Sequence, residues 1–191
     1  MNRHSMAVPL ALLLVVTAIS GCLGLGDDGS STESKLFPDF QTEAENGENI
    51  SLDDYKGAPF VVVFSAEWCT LPCFQSIHAL NSSLQGPLAI VISTDPAENP
   101  QGITLIEWKE SADRFDDVRN ESTGEIIDAH QTLDYRFIKG SEIATALGIQ
   151  SPGTVVFLNA ETEVVAEHIG VLEEPTTIIG YWEKAGGTVS A

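Results

Sequence analysis

The stretch FVVVFSAEWCTLPCFQSIHALNSSL, Phe60–Leu84, decides the reading of this chain. It opens on an unbroken apolar run, Phe60 to Phe64, with none of the alternation of a half-exposed strand, so it reads as a strand covered on both faces. Beyond a tryptophan and two cysteines, Phe74, Ile77, Leu80 and Leu84 recur at helical spacing until Gly86 and Pro87 break the period. A second apolar run, Leu88 to Ser93, follows. Together these make a strand–helix–strand unit with Cys69 and Cys73 between its first strand and its helix.

A cysteine at that junction sits beside unpaired backbone N–H groups and the positive end of the helix dipole, and both stabilise a thiolate. Cys69 holds that place. Cys73 lies four residues on, one turn into the helix and on the same side. Cα atoms so spaced are about 6 Å apart, within reach of a disulfide and near its upper end. Pro72 suits a first turn, where no N–H is needed. The pair can therefore cycle between dithiol and disulfide, but the three-residue spacing leaves a metal clip and a static clasp open as well.

Outward to the N-terminus, Arg3 precedes an apolar run from Met6 to Ile19 that closes on ISGC, Ile19–Cys22, which predicts an export signal over residues 1–21. The small residues before Cys22 resemble a lipobox, which would make Cys22 the lipidated first residue of the mature chain. The alternative is an uncleaved anchor, since Ala7 to Leu25 approaches the roughly 20 residues of a membrane span. Pro9 and Gly21 suit such a span poorly. Residues 22–35, ending in LGLGDDGSSTESK, offer almost nothing to bury and read as a flexible acidic, Ser- and Gly-rich linker. A single folded domain is expected over 36–185, with a frayed tail at 186–191.

The 28 acidic residues against 9 basic ones, a formal net charge of −19, disfavour nucleic acid and peripheral binding to anionic lipid. The acids are scattered, which suits solubility and names no partner. With Cys22 assigned to lipid, only Cys69 and Cys73 of the 3 cysteines remain. Outside the cytoplasm such a pair persists as a disulfide or works as a dithiol. Both methionines, Met1 and Met6, lie in the leader, so the mature chain has no thioether for a soft metal.

Along the domain, turns are expected at Asn46–Gly47 and Lys56–Gly57, with a short strand between them. Leu105, Trp108, Ala112 and Phe115 predict a helix across much of Gln101–Val118. From Asn120 to Gly140 only the alternation of Leu133, Tyr135 and Phe137 suggests a strand. Ser141 is expected to cap a short helix ending at Gly148. TVVFLN and EVVAEHIG read as strands around a turn at Ala160–Glu161, and Thr176–Ala185 as a closing helix. The order predicts an α/β sandwich, a central mixed sheet flanked by helices.

FPDFQTEAENGENISLDDYKGAPFVVVFSAEWC, Phe37–Cys69, and GIQSPGTVVFLNAETEVVAEHIG, Gly148–Gly170, resemble the entry and closing hairpin of the thioredoxin superfamily. The likeness is to its membrane-tethered TlpA/ResA-like, redoxin and AhpC/TSA-related thiol-disulfide oxidoreductases. It implies a thioredoxin-like fold, Cys69 as nucleophile, Cys73 as resolving thiol, and Trp68 beside the disulfide and Pro152 as substrate-binding residues, Pro152 as a cis-proline. Read from its surroundings alone, Pro152 is a turn proline. Where thioredoxin has a buried Asp, this sequence has Val63, and the nearest carboxylate, Glu67, is expected to be an exposed loop residue. The three-residue spacing and ISTDPAENP, Ile92–Pro100, also resemble the Sco copper chaperones. Their site adds a histidine just before the hairpin strand, where this chain has Ser151, Pro152 and Gly153.

His78 falls about 140° round the helix from Cys73 by spacing and is expected to be solvated. His130 and His168 are expected to be surface residues. Copper would then rest on Cys69 and Cys73 alone, and no peroxidatic threonine and cysteine arrangement is present. The reading is an exported, lipid-anchored enzyme at the outer face of the cell membrane, monomeric and without cofactor. It would exchange disulfides with other exported proteins. A copper-handling protein and a binding lipoprotein with a static disulfide are the alternatives.

Overall fold

The structure, a computed structural model, describes residues 35–128 and 132–189. The leader, Cys22, the linker up to Ser34 and His130 lie outside them. The first half of the chain gives β1 (Lys35–Leu36), β2 (Gln41–Glu43), β3 (Asn49–Ser51), β4 (Phe60–Ser65), α1 (Leu71–Leu84), β5 (Ala89–Ser93) and α2 (Leu105–Asp113). The second half gives β6 (Val118–Arg119), β7 (Ile126–Asp128), β8 (Arg136–Lys139), α3 (Ser141–Ala146), β9 (Thr154–Leu158), β10 (Glu163–Ile169) and α4 (Pro175–Lys184).

A mixed sheet runs in the order β1-β10-β9-β4-β5-β8. β4, β5 and β8 are parallel, and β9 pairs antiparallel with β4. β4 is thus hydrogen-bonded along both edges, and all six of its residues are buried. Its alternation survives inside the fold. Val61 and Val63 join Phe74, Ile77, Trp108 and Trp182 on the face covered by α1, α2 and α4, while Phe60, Val62 and Phe64 join Phe37, Ile138 and Ile143 on the other. Both layers are apolar, which is why the run shows no polar alternation and why the thioredoxin-like sandwich expected above is the fold observed.

The departures from the sequence expectations have local causes. α2 starts at Leu105, not Gln101, because Thr104 and Glu107 form a reciprocal capping box at its N-terminus. α3 is capped by Gly140, with Ser141 its first residue. A Cβ on Gly140 would lie 2.6 Å from the Ile92 side chain, so only glycine fits. Leu133 and Tyr135 are buried as anticipated but precede the strand, which starts at Arg136. β6 and β7 form a two-stranded ribbon: β7 lies in the segment the sequence left unread, whereas Val118 of β6 was expected to end a helix. Lys35, assigned to the linker, already pairs with Val164, and its ammonium donates to the Leu147 carbonyl. Where fraying was expected, Trp182 Nε1 donates to the Thr188 carbonyl at 3.3 Å and Val189 packs on the core.

Lys109 holds one irregular segment in place. Its ammonium lies 2.7 Å from both Asp113 carboxylate oxygens and donates to the Leu133 carbonyl at 2.9 Å. Asp113 in turn accepts from Leu133 N at 3.0 Å. Removing one partner strands the other in a mostly buried setting, whereas replacing both with apolar residues does not. Asp113→Ala is expected to cost about 3 kcal/mol in urea unfolding, and Lys109→Met with Asp113→Leu measurably less. Equal losses in the two variants would show that the pair is not coupled.

Candidate active site

The site forms where β4 ends. Phe64 O accepts from Gly153 N on one side and Ser65 O from Thr94 N on the other, each at 2.8 Å. Held at both edges, the chain leaves the sheet by a tight turn in which Cys69 N donates to Ala66 O at 2.8 Å, with Glu67 and Trp68 at the two corners. α1 follows at once, with Pro72 in its first turn. Cys69 and Cys73 are joined by a disulfide, their Cα atoms 6.0 Å apart as helical spacing dictates. Cys69 is 9 % exposed and Cys73 0 %. Access is therefore graded, with Cys73 the more covered and Cys69 itself close to covered.

The chain that leaves β10 is tied to the helix that carries Cys73. Leu172 N donates to Ser76 Oγ at 2.9 Å, and Ser76 Oγ donates to Pro72 O at 3.3 Å, which clamps residue 172 to the first turns of α1. Pro152 lies one residue before Gly153, so it stands at the same end of the sheet as the cysteines. Its peptide bond is trans, as are all those described, and the cis geometry implied by the resemblance is absent. The trans form is the lower-energy state even before proline.

Glu67 overturns its expectation. It is buried, its side chain 0 % exposed, because it points under the turn and not into solvent. Oε1 accepts from Lys139 Nζ at 2.7 Å and Oε2 from Ser93 Oγ at 2.6 Å. Trp68, the other corner, faces outward, and its indole N–H donates to Asp95 at 3.0 Å. Asp95 N reaches back to Ser93 Oγ at 3.3 Å, so both corners are tied to the segment after β5. Sequence reasoning missed Lys139, Ser93 and Asp95. The available signal was register: Ser65, Ser93 and Lys139 are the last residues of three parallel strands and lie in one row.

His78 is also corrected. It is half-buried, one ring nitrogen 2.8 Å from Ala112 O and the other 2.9 Å from Asp116, and packs near Phe115. His168 bonds the Val171 carbonyl at 3.1 Å. Among the described residues no three His, Cys, Asp or Glu side chains gather as a metal site requires. Nor is any described helix long and apolar enough to cross a membrane.

The AhpC/TSA family model matches residues 34–179. The chain belongs to the AhpC/TSA family. Solved structures similar to this family member include the pneumococcal exposed lipoprotein thioredoxin Etrx1 of Streptococcus pneumoniae, with 17% identity, TM-score 0.55, 77% of this chain and 99% of that one covered. A thio-disulfide isomerase of Thermus thermophilus matches at 20% identity and TM-score 0.57 over 82% of this chain and 98% of that one. BsSco, a Sco-family cytochrome c oxidase assembly protein with a disulfide switch, matches at 15% identity and TM-score 0.54 over 80% and 94%. No curated protein matches at a significant level. At these identities the likeness establishes the shared fold.

The outer corner of the turn carries a pH signature. Hydrogen bonds from Ala97 N and then from the Trp68 indole hold the Asp95 carboxyl below the usual 3.8. A lowered carboxyl contributes its bond above the ordinary value and loses it only as pH falls through the lower one. The Trp68 indole N–H resonance is thus expected to stay fixed from neutral pH down to about 4 and to move only below it. Movement centred above that range would contradict the contact.

Proposed function

We propose that this family member is an exported, lipid-anchored thiol-disulfide oxidoreductase that exchanges disulfides with other exported proteins. The observation that carries this reading is the asymmetric pair at the start of α1, Cys69 at the rim of the turn and Cys73 fully buried one helical turn on. Acting as a reductant, the Cys69 thiolate attacks a substrate disulfide, forming a mixed disulfide and expelling one substrate thiolate. Cys73 then loses its proton and attacks the Cys69 sulfur. This forms the internal disulfide and releases the second substrate sulfur, which takes up a proton. Two electrons pass from the pair to the substrate. Run backwards, the same steps oxidise a substrate dithiol.

Among the described residues the donor set does not fit a Sco-like copper site. The residues before β9 are Ser151, Pro152 and Gly153, and His78 and His168 are engaged elsewhere.

Cys73→Ser is expected to trap covalent complexes with exported proteins, because attack proceeds and resolution does not, while Cys69→Ser traps few or none. With Val63 where a carboxylate could have stood, the wild-type release step is expected to quicken as pH rises. Equal absence of trapping in both variants, with a wild-type disulfide that resists excess dithiol reductant, would make the pair a static clasp.

The anchoring part of the proposal rests on ISGC, Ile19–Cys22, and the polar linker behind it. Cys22→Ser is expected to abolish incorporation of labelled fatty acid and leave the domain folded. Undiminished labelling would reject lipidation at this cysteine.

A further inference from the structure

The turn that presents Cys69 is built over a buried ion pair that the exchange chemistry above does not use. Glu67 and Cys69 are two residues apart, so their Cα atoms lie within about 7 Å. Both carboxylate oxygens of Glu67 are occupied, one by Lys139 Nζ at 2.7 Å and one by Ser93 Oγ at 2.6 Å. Lys139 also donates to Ser93 Oγ at 3.2 Å, which closes a three-membered network beneath the turn. Buried ion pairs are a poor source of net stability, because desolvation offsets their attraction. One placed under the attacking thiol in the proposed reaction has an electrostatic consequence there that the same pair elsewhere would lack.

We propose that the Glu67–Lys139 pair positions Cys69 and sets its redox poise, the carboxylate fixing the turn and masking an ammonium that would otherwise stabilise the Cys69 thiolate. The inference rests on Cys69 as the attacking thiol. The pair leaves the local charge near zero, so the thiolate is stabilised by the start of α1 and not by a net cation. The other charged groups around the turn are Asp95, held by Trp68, and Glu107, Glu110 and Arg114, which line a cleft of about 440 Å³ beside Thr70 and Phe74. Arg114 is paired with Glu110 at 3.4 Å.

The test uses the reduced full-length chain, the pH profile of its Cys69 labelling by iodoacetamide, and its equilibrium with glutathione. Glu67→Gln keeps the side-chain shape and uncovers Lys139. It is expected to raise the acid constant of Cys69 about three- to tenfold and to favour the dithiol by the same factor, a shift of about 15–30 mV towards a stronger oxidant. Adding Lys139→Met to that variant is expected to return both readouts to within about twofold of wild type, and Lys139→Arg alone to leave them unchanged. A purely structural role gives the opposite pattern, with the second substitution adding to the damage of the first. That result, or a Glu67→Gln profile within twofold of wild type, overturns the proposal. Should Glu67→Gln fail to fold, Lys139→Met alone decides: slower labelling of Cys69 supports the proposal, and an unchanged profile refutes it. These readouts do not depend on trapped partners, so failure to trap substrates would sink the exchange reading while leaving the charge effect measurable.

Discussion

The rest of the structure depends on the double pairing of β4. A strand bonded along both edges and buried on both faces cannot slip, because a shift of one residue would exchange its two apolar layers and break two ladders at once. Its last residue is therefore fixed, and so is the point at which the chain must turn. Everything about the cysteines follows from that point. Ala66 and Cys69 close the turn, α1 begins at Leu71, and Cys73 is carried one turn inward, where it is fully buried.

Two largely buried lysines in this acidic chain answer different demands. Lys109 satisfies a loop. It bonds the Leu133 carbonyl and Asp113, and Asp113 bonds Leu133 N, so one ion pair serves both polar groups of a backbone unit that no strand pairs there. Lys139 lies at the end of β8 and serves no loop. Its contacts are Glu67 and Ser93, at the ends of the neighbouring strand system and directly under the turn. The first pair is explained by backbone accounting alone. The second is not, and its place beneath a thiol is what gives it chemical interest.

The fold was legible because its determinants are runs. Phe60–Phe64, the period of α1 and the closing hairpin each average over many residues, and the errors fell at ends and in short pieces such as β6 and β7, where two or three residues carry the signal. The cysteines were legible for the same reason: one sits at the end of a run and the other one helical turn beyond. Glu67 was not legible. Nothing within AEWC distinguishes a glutamate facing water from one facing inward, because the groups that bury it, Ser93 and Lys139, are 26 and 72 positions away in sequence. His78 failed likewise. Its position on α1 was read correctly, but its partners, Ala112 in the last turn of α2 and Asp116 just after it, are 34 or more positions away in sequence.

Low identity with a retained fold is what this architecture permits. The sheet asks only that β4, β5 and β9 be apolar on both faces and fit in volume, a demand many sequences meet, so structures at 15–20% identity share its layout. The end of the sheet is more exacting. There the last side chains of β4, β5 and β8, Ser65, Ser93 and Lys139, stand in one row outside the apolar layers, and Ser93 and Lys139 take Glu67 of the turn as their partner. A glutamate buried at the turn requires a cation in that row, and Lys139 at the end of β8 supplies it; neither residue is interchangeable without the other. The chemistry of Cys69 is thereby coupled to the edge strand of the sheet, which never touches it in sequence.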